Sequence, residues 1–172
     1  MSRAQEGLEL YQRIRAYQRQ ADTCGLGHQA DPRGLGYAVV DLETTGLEPQ
    51  DEAIIEVGVV LLDPRGREQL RWDSLVNPHR HPGPTHIHGI TPDDLTDAPE
   101  LGTLAPALVE LLRGRVLVAH NIRFDASFLL PALRLELGAA ALPHKIPQVC
   151  TMNWARSFIV TPSRSLVRFC QA

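Results

Sequence analysis

Lysine is almost missing from this chain, since Lys145 is the only lysine among 17 basic residues. With 20 acidic residues the formal net charge is −3, and the pI is near 6.1. A protein with this charge does not hold nucleic acid through bulk positive charge. An enzyme that binds phosphate groups through metal ions is still compatible with the composition.

Cysteine is also scarce. The three cysteines, Cys24, Cys150 and Cys170, are odd in number and form no C-x-x-C pair. From this number and spacing we expect neither a disulfide framework nor a zinc ribbon. It fits a reducing compartment, so we expect a cytoplasmic protein.

Long apolar runs are absent, and none approaches the roughly 20 residues that span a bilayer. The N-terminus is polar where a signal peptide would be apolar. We therefore expect no membrane role. With 172 residues, 44% hydrophobic and 22% charged, the composition is that of a globular domain.

The first 36 residues are expected to form an extension and not part of the compact domain. Leu10, Ile14 and Tyr17 recur at helical spacing and predict a helix over 3–21. A glycine-rich loop or linker follows over 23–36. The domain is then expected over 37–172, with the helix packed on it or on a neighbouring chain. Alternatively, the helix region carries a sliding-clamp-binding peptide, which its residues Gln5, Leu8 and Leu10 loosely resemble.

Three strands are predicted before any strong helix, over Tyr37–Leu42, Ala53–Leu62 and Glu68–Val76. The second is nearly continuously apolar and should lie inside a sheet. Only a short turn separates it from the third strand, which implies an antiparallel hairpin.

Helices and strands then alternate. Thr91, Pro92 and Asp94 form a helix start, and Asn121 is a second candidate N-cap. The pattern βββαβαβα predicts an α/β fold with one mixed sheet and helices on its faces. The later elements are expected at Leu101–Leu112, Val116–Ala119, Asn121–Gly138, Gln148–Cys150 and Met152–Phe158.

Two carboxylates end the first strand. Asp41 and Glu43 should project to the same side of the strand, about 7 Å apart at their backbones. Such a pair repels itself unless protons or divalent cations neutralise it. Taken alone, the pair is equally explained as two ordinary acids at a solvated strand end.

A third acid follows the strand Val116–Ala119. Asp125 lies one helical turn after Asn121, in the string His-Asn-Ile-Arg-Phe-Asp. An acid in a first helical turn is explained by the helix dipole alone. Here, however, it follows the Asp41 and Glu43 string in order, and each string stands at a strand end.

These strings carry a family resemblance. Asp-Leu-Glu-Thr-Thr-Gly-Leu at 41–47 and the string at 120–125 resemble the first two motifs of the DEDD-type 3′-5′ exonucleases. Ile-His-Gly-Ile-Thr at 87–91 and Cys150–Thr151 resemble the branch of the proofreading epsilon subunit of bacterial DNA polymerase III. The resemblance implies a ribonuclease H-like fold, with three antiparallel strands and then two more interleaved with helices.

The resemblance also implies a two-metal phosphodiesterase. Asp41, Glu43 and Asp125 would hold two Mg²⁺ or Mn²⁺ ions, one activating water and the other stabilising the leaving 3′ oxygen. The expected substrate is a nucleic-acid 3′ end, single-stranded DNA by analogy, and a DNA polymerase or sliding clamp is the expected partner.

The same comparison implies which residues contact the nucleic acid. Gly46 would let the backbone approach the terminal nucleotide, and Thr44 would contact its 3′ hydroxyl. Leu47, His88 and Phe124 would pack against the base or sugar. The expected contact set is Thr44, Thr45, Gly46, Leu47, His88, Asn121 and Phe124.

One family motif is missing. The histidine branch has an H-x-A-x-x-D string that supplies a general base and a fourth acid, and no such string follows Asp125. His144, the only later histidine, has no acid five residues on. We therefore expect a domain truncated at its C-terminus, with reduced or no activity in these 172 residues.

Two other functions are open at this point. The histidines at 79, 81, 86 and 88 could form a zinc site, although prolines interrupt the run and no cysteine lies nearby. A non-catalytic ribonuclease H-like module that binds nucleic acid or a polymerase is the alternative to an enzyme.

Overall fold

The computed structural model describes residues 36–158 and residue 166. The expected N-terminal helix and linker, including the clamp-like residues, lie outside these residues except for Gly36. Residues 159–172 also lie outside them, apart from Leu166.

Three antiparallel strands open the domain, as predicted. They are β1 (Tyr37–Thr44), β2 (Ile54–Leu62) and β3 (Glu68–Leu75). β2 pairs with both neighbours, and a turn at 63–67 joins it to β3. β1 is two residues longer than predicted, so that Glu43 and Thr44 belong to the strand.

Two short strands complete the sheet, β4 (Val116–Ala119) and β5 (Gln148–Cys150). β4 pairs in parallel with β1, and β5 pairs in parallel with β4. The strand order is β3-β2-β1-β4-β5, which confirms the mixed sheet. Because β1, β4 and β5 run in the same direction, their carboxyl ends lie at one edge of the sheet.

Five helices connect the strands in the described part of the chain. Thr91 caps α2 through a capping box with Asp94, in agreement with the predicted helix start. The last helix begins one residue earlier than predicted and ends at Ala155. The helices are α1 (Thr85–His88), α2 (Pro92–Leu95), α3 (Leu101–Leu112), α4 (Ile122–Leu137) and α5 (Thr151–Ala155), with a 3₁₀ turn at Ala139–Ala141.

The core lies between the sheet and the two long helices. Alternate side chains of β1 and β2 are buried in one cluster with the apolar faces of α3 and α4. Strand side chains alternate, so the other face of β1 carries Asp41 and Glu43. The β1 and β2 members of the core are Ala38, Val40, Leu42, Ile54, Val57, Val59 and Leu61.

The β1–β2 register has an irregularity at the carboxyl end of β1. Glu43 is opposite Glu56, but Thr44 is opposite Ile54, so β2 has one extra residue at this point. Bulges of this kind re-aim side chains at strand ends. Within residues 36–158, no helix has the length and apolar character needed to span a bilayer.

Candidate active site

The end of β1 presents two acids, as the alternation of strand side chains predicts. Asp41 is exposed and Glu43 is partly exposed, whereas Leu42 between them is buried in the core. Leu42 therefore anchors the strand while its two neighbours face away from the core.

Asp125 joins these acids from the first turn of α4. The residue is only 5% exposed. Its carboxylate accepts hydrogen bonds from its own backbone N–H and from that of Leu42 in β1. This bond across the carboxyl edge of the sheet ties α4 to β1, and it brings Asp125 into electrostatic contact with Asp41 and Glu43.

Each of the three acids has a raised pKa. Burial, and then repulsion by Asp41 and Glu43, raises the pKa of Asp125 to about 6, against the two backbone hydrogen bonds. Burial and then the charge of Asp41 raise the pKa of Glu43. Partial burial raises the pKa of Asp41, with His120 opposing. The structure thus brings together the three acids that the sequence singled out.

The donor set suits a hard divalent cation. Carboxylate oxygens are the ligands that Mg²⁺ and Mn²⁺ prefer, and the mutual repulsion of the three acids is what a cation offsets. No group of three His, Cys, Asp or Glu side chains in the described residues already stands close enough to enclose a metal ion. The three acids are therefore neighbours across an edge, and not a closed cage.

Two further side chains belong to this surface and were missed in the sequence. Glu56 on β2 is paired with Glu43, and its pKa is raised by burial and then by Glu43, Asp73 and Asp41. His120 lies beside Asp41, and its Nδ1 is 3.2 Å from the Thr151 hydroxyl. The apolar run of β2 obscured Glu56 in the sequence, and its place opposite Glu43 depends on the β1–β2 register.

His88 also faces the acids. The Ile90 N–H donates to its Nδ1 at 3.1 Å, so the proton of the neutral ring is on Nε2. This Nε2 is buried and has no hydrogen-bond partner within the described residues. His88 opposes the rise in the pKa of both Glu43 and Glu56, which locates the ring at the site.

The two threonine hydroxyls that follow Glu43 make hydrogen bonds within the loop after β1. Thr44 and Thr45 are both buried. The Thr44 hydroxyl donates to the Gly46 carbonyl at 2.6 Å, and the Thr45 hydroxyl donates to the Glu52 carboxylate. Because each hydroxyl has one proton, these bonds shape the loop, and the expected contact of Thr44 with a 3′ hydroxyl stays a prediction.

Two further predicted contact residues lie close to the acids in sequence. Leu47 is 78% exposed directly after Gly46. Phe124 is partly exposed one residue before Asp125, with its ring 5.0 Å from that of Phe128. Their contacts with nucleic acid stay predictions.

Asn121 stands at the N-cap of α4, as predicted, but its side chain makes no capping hydrogen bond. The expectation of a side-chain cap is therefore wrong. The Phe124 N–H donates to the Asn121 carbonyl instead, at 2.8 Å, so the backbone closes the first turn. The exposed amide of Asn121 thus has no capping role beside Asp125.

The four histidines of the zinc hypothesis do not come together as a metal site in the part of the chain that is described. His79 pairs with Glu100 at 2.8 Å, and His88 is turned toward the acids. His79 and His88 are thus engaged by different partners, and Pro82 and Pro84 lie between the two pairs of histidines in the sequence.

Comparisons with known proteins agree with this geometry. A family model described as exonuclease, RNase_T, matches residues 38–171. The epsilon subunit of DNA polymerase III from Treponema pallidum is 34% identical over 123 residues, which are 70% of this chain and 56% of that subunit. A PolC-type DNA polymerase III from Thermotoga petrophila is 32% identical over 143 residues, or 82% of this chain and 10% of the polymerase. The chain thus spans just over half of the epsilon subunit.

Solved structures show the same fold. E. coli Exonuclease I in complex with a dT13 oligonucleotide superposes with a TM-score of 0.69 over 79% of this chain and 35% of that enzyme. The two sequences are 17% identical. At this identity the likeness concerns the architecture, and it confirms the expected ribonuclease H-like sheet.

Proposed function

Since the chain belongs to the exonuclease (RNase_T) family, we propose that it hydrolyses phosphodiester bonds at nucleic-acid 3′ ends, in the manner of a DNA proofreading enzyme. The observation that carries the proposal is the meeting of Asp41, Glu43 and Asp125 at the carboxyl edge of the sheet. A domain without chemistry at this edge gains nothing from three acids that repel one another.

The three acids would hold two Mg²⁺ or Mn²⁺ ions. When bound, the ions supply charge stabilisation for the scissile phosphate and lower the pKa of the attacking water. The chain's own contribution is orientation. Leu42 fixes the carboxylate of Asp125 through its N–H, and the strand holds Asp41 and Glu43 on one face.

The proposed substrate is a single-stranded DNA 3′ end, and the proposed partner is a replicative DNA polymerase. The relatives named above support both, because the similar region belongs to a polymerase subunit in one and to a polymerase in the other. Leu47 and Phe124 offer apolar surface beside the acids, which suits stacking against bases of any sequence.

A polypeptide of these 172 residues alone is proposed to be slow, because no H-x-A-x-x-D string follows Asp125. Loss of a positioned general base costs about 10²- to 10⁴-fold in rate. The same absence favours the second candidate, a non-catalytic module that binds a DNA end or a polymerase.

Degradation of a 3′-labelled single strand with Mg²⁺ or Mn²⁺ tests the catalytic proposal. We expect release of labelled mononucleotide that Asp41→Ala abolishes. Asp97→Ala, which removes an exposed acid outside the site, should behave as the wild type. Equal rates for Asp41→Ala and Asp97→Ala would remove Asp41 from the mechanism.

Calorimetric titration with Mn²⁺ separates the two candidates even where turnover is too slow to measure. An exonuclease site should bind Mn²⁺ in the wild type and lose affinity in both Asp41→Ala and Asp125→Asn. A module with an idle site should show no binding that depends on these carboxylates.

A further inference from the structure

We propose that Glu52 and Arg80 are positioning residues for the terminal nucleotide, because they hold the loop that follows the catalytic strand against a second loop. The inference rests on the proposed exonuclease function. Neither residue belongs to a family string identified in the sequence, and neither is among the three acids.

The first step is the contact between Glu52 and Thr45. The Thr45 hydroxyl donates to the Glu52 carboxylate and accepts the Ala53 N–H at 3.0 Å. The Thr45 N–H in turn donates to the Ala53 carbonyl at 2.9 Å. Residues 45–53 therefore form a loop whose two ends are joined by three hydrogen bonds. One links the side chains of Thr45 and Glu52, and two link Thr45 to the backbone of Ala53.

The second step concerns Gly46, the residue that follows Thr45 in this loop. A Cβ built on Gly46 would lie only 2.8 Å from the carboxyl carbon of Glu52. The carboxyl group of Glu52 thus packs directly against the Gly46 backbone, whose carbonyl is also held by Thr44 at 2.6 Å. Gly46 and the exposed Leu47 are the residues expected to meet the nucleotide, so Glu52 supports them from within the protein.

The third step is the link to a second loop. Arg80 Nη2 lies 3.4 Å from Glu52 Oε2, and Arg80 Nη1 donates to the Asp51 carbonyl at 2.5 Å. Gly83 has φ +88°, and a Cβ there would lie 2.1 Å from the Thr45 carbonyl oxygen. The segment 80–83 is therefore packed on the loop after β1.

The second loop leads directly into α1, which carries His88 to the acids. Glu52 and Arg80 consequently join the two loops that border the site, one bearing Gly46 and Leu47 and the other bearing His88. A charge-assisted pair that also bonds the Asp51 carbonyl and the Thr45 hydroxyl is suited to fix such a geometry. Their removal should loosen nucleotide binding and leave the metal-binding acids in place.

The test is a titration of the full 172-residue chain with dTMP, which has no phosphodiester bond to cleave, in saturating Mg²⁺ and followed by NMR. We expect Glu52→Ala to weaken dTMP binding roughly tenfold, about 1.4 kcal/mol, while the Mn²⁺ affinity measured by calorimetry stays within about twofold. Glu52→Gln keeps an acceptor for Thr45 and loses only the ion pair, so it should fall between Glu52→Ala and the wild type.

Glu110→Ala is the matched control. Glu110 also pairs with an arginine, and its side chain is 28% exposed against 27% for Glu52, but it lies on α3. It should bind dTMP as the wild type does. Equal dTMP affinity in Glu52→Ala and Glu110→Ala, or a parallel loss of dTMP and Mn²⁺ affinity, would overturn the inference.

A second pair of variants covers the case in which Glu52→Ala does not fold. Arg80→Ala removes the bond to the Asp51 carbonyl and the ion pair with Glu52, and it should weaken dTMP binding. Arg113→Ala, which removes the exposed arginine paired with Glu110, should bind dTMP as the wild type does, and equal affinities in these two variants would overturn the inference. If the wild type itself shows no dTMP binding that depends on Mg²⁺ and Asp41, the exonuclease proposal fails first. Normal wild-type binding with an unaffected Glu52→Ala refutes the positioning role alone.

Discussion

Glu43 and Glu56 stand directly opposite each other across the antiparallel β1–β2 pair. Each is partly buried, and the charge of Glu43 adds to the burial that raises the pKa of Glu56. Like charges in this arrangement destabilise a sheet. With Asp41 and Asp125 nearby, the carboxyl edge of the sheet carries a repulsion that divalent cations would offset.

Replacement of Glu56 by glutamine should therefore stabilise the protein in the absence of metal. We expect a gain of about 0.5 kcal/mol at pH 7 with a chelator present, the usual size of a cross-strand charge effect. Urea unfolding measures it. The control is Glu68→Gln on β3, which removes a glutamate paired with Arg71 and should not raise the free energy of unfolding. A rise for Glu68→Gln as large as that for Glu56→Gln would contradict the explanation.

Asp125 should make the metal-free protein less stable as the pH rises. Its pKa is raised from 3.8 to about 6, so the folded state binds its proton more tightly than the unfolded state does. Stability from this group is fully present below pH 3.8, and is lost as the pH rises toward 6.

Asp125→Asn should remove this pH dependence and stabilise the metal-free protein at pH 8 by roughly 3 kcal/mol at most. The measurement is the free energy of unfolding at pH 4 and pH 8. An unchanged difference between the two pH values in the variant would show that Asp125 titrates normally.

Metal binding should release protons near pH 6. A carboxylate must lose its proton to bind a cation, and Asp125 is half protonated at its pKa of about 6. Calorimetry with Mn²⁺ in two buffers of different ionisation enthalpy should give about half a proton released at pH 6 and almost none at pH 8. The same release at both pH values would contradict the raised pKa.

Gly83→Ala should be strongly destabilising. The glycine has φ +88°, and a Cβ would overlap the Thr45 carbonyl, so two loops must separate. We expect a loss of about 2 kcal/mol or more in the free energy of unfolding.

Gly66→Ala is the control for this substitution. Gly66 has φ +81°, but nothing lies within 4 Å of its added Cβ. Gly66→Ala should therefore lose only the cost of a left-handed backbone at a non-glycine residue, about 1 kcal/mol in the free energy of unfolding. Equal losses for the two variants in urea unfolding would show that the contact with Thr45 contributes nothing.

Much of the fold follows from local patterns. The apolar run of β2, the turn at 63–66 and the capping residues Thr91 and Asp94 each act within a few residues of sequence. The strands and the long helices were therefore predicted in the right order, whereas the short helix α1 was not predicted. Asn121 was predicted correctly as the N-cap position of α4, but the predicted side-chain hydrogen bond does not form. The Phe124 N–H bonds the Asn121 carbonyl instead, because capping by a side chain depends on the local backbone conformation.

The three acids could be found from the sequence for a physical reason. Asp41 and Glu43 share a face because side chains alternate along any strand, and Asp125 stands in the first turn of a helix that follows a strand. Both facts are carried by short contiguous segments.

The environment of these acids was decided only by the tertiary structure. Glu56 opposes Glu43 through a hairpin register that contains a bulge, and Arg80 reaches Glu52 across 28 positions of sequence. Such contacts depend on how distant segments pack, since no local periodicity encodes which loop meets which. The sequence by itself singled out the three acids that the fold brings together, and the packing of the chain decided what surrounds and supports them, because those contacts join distant segments.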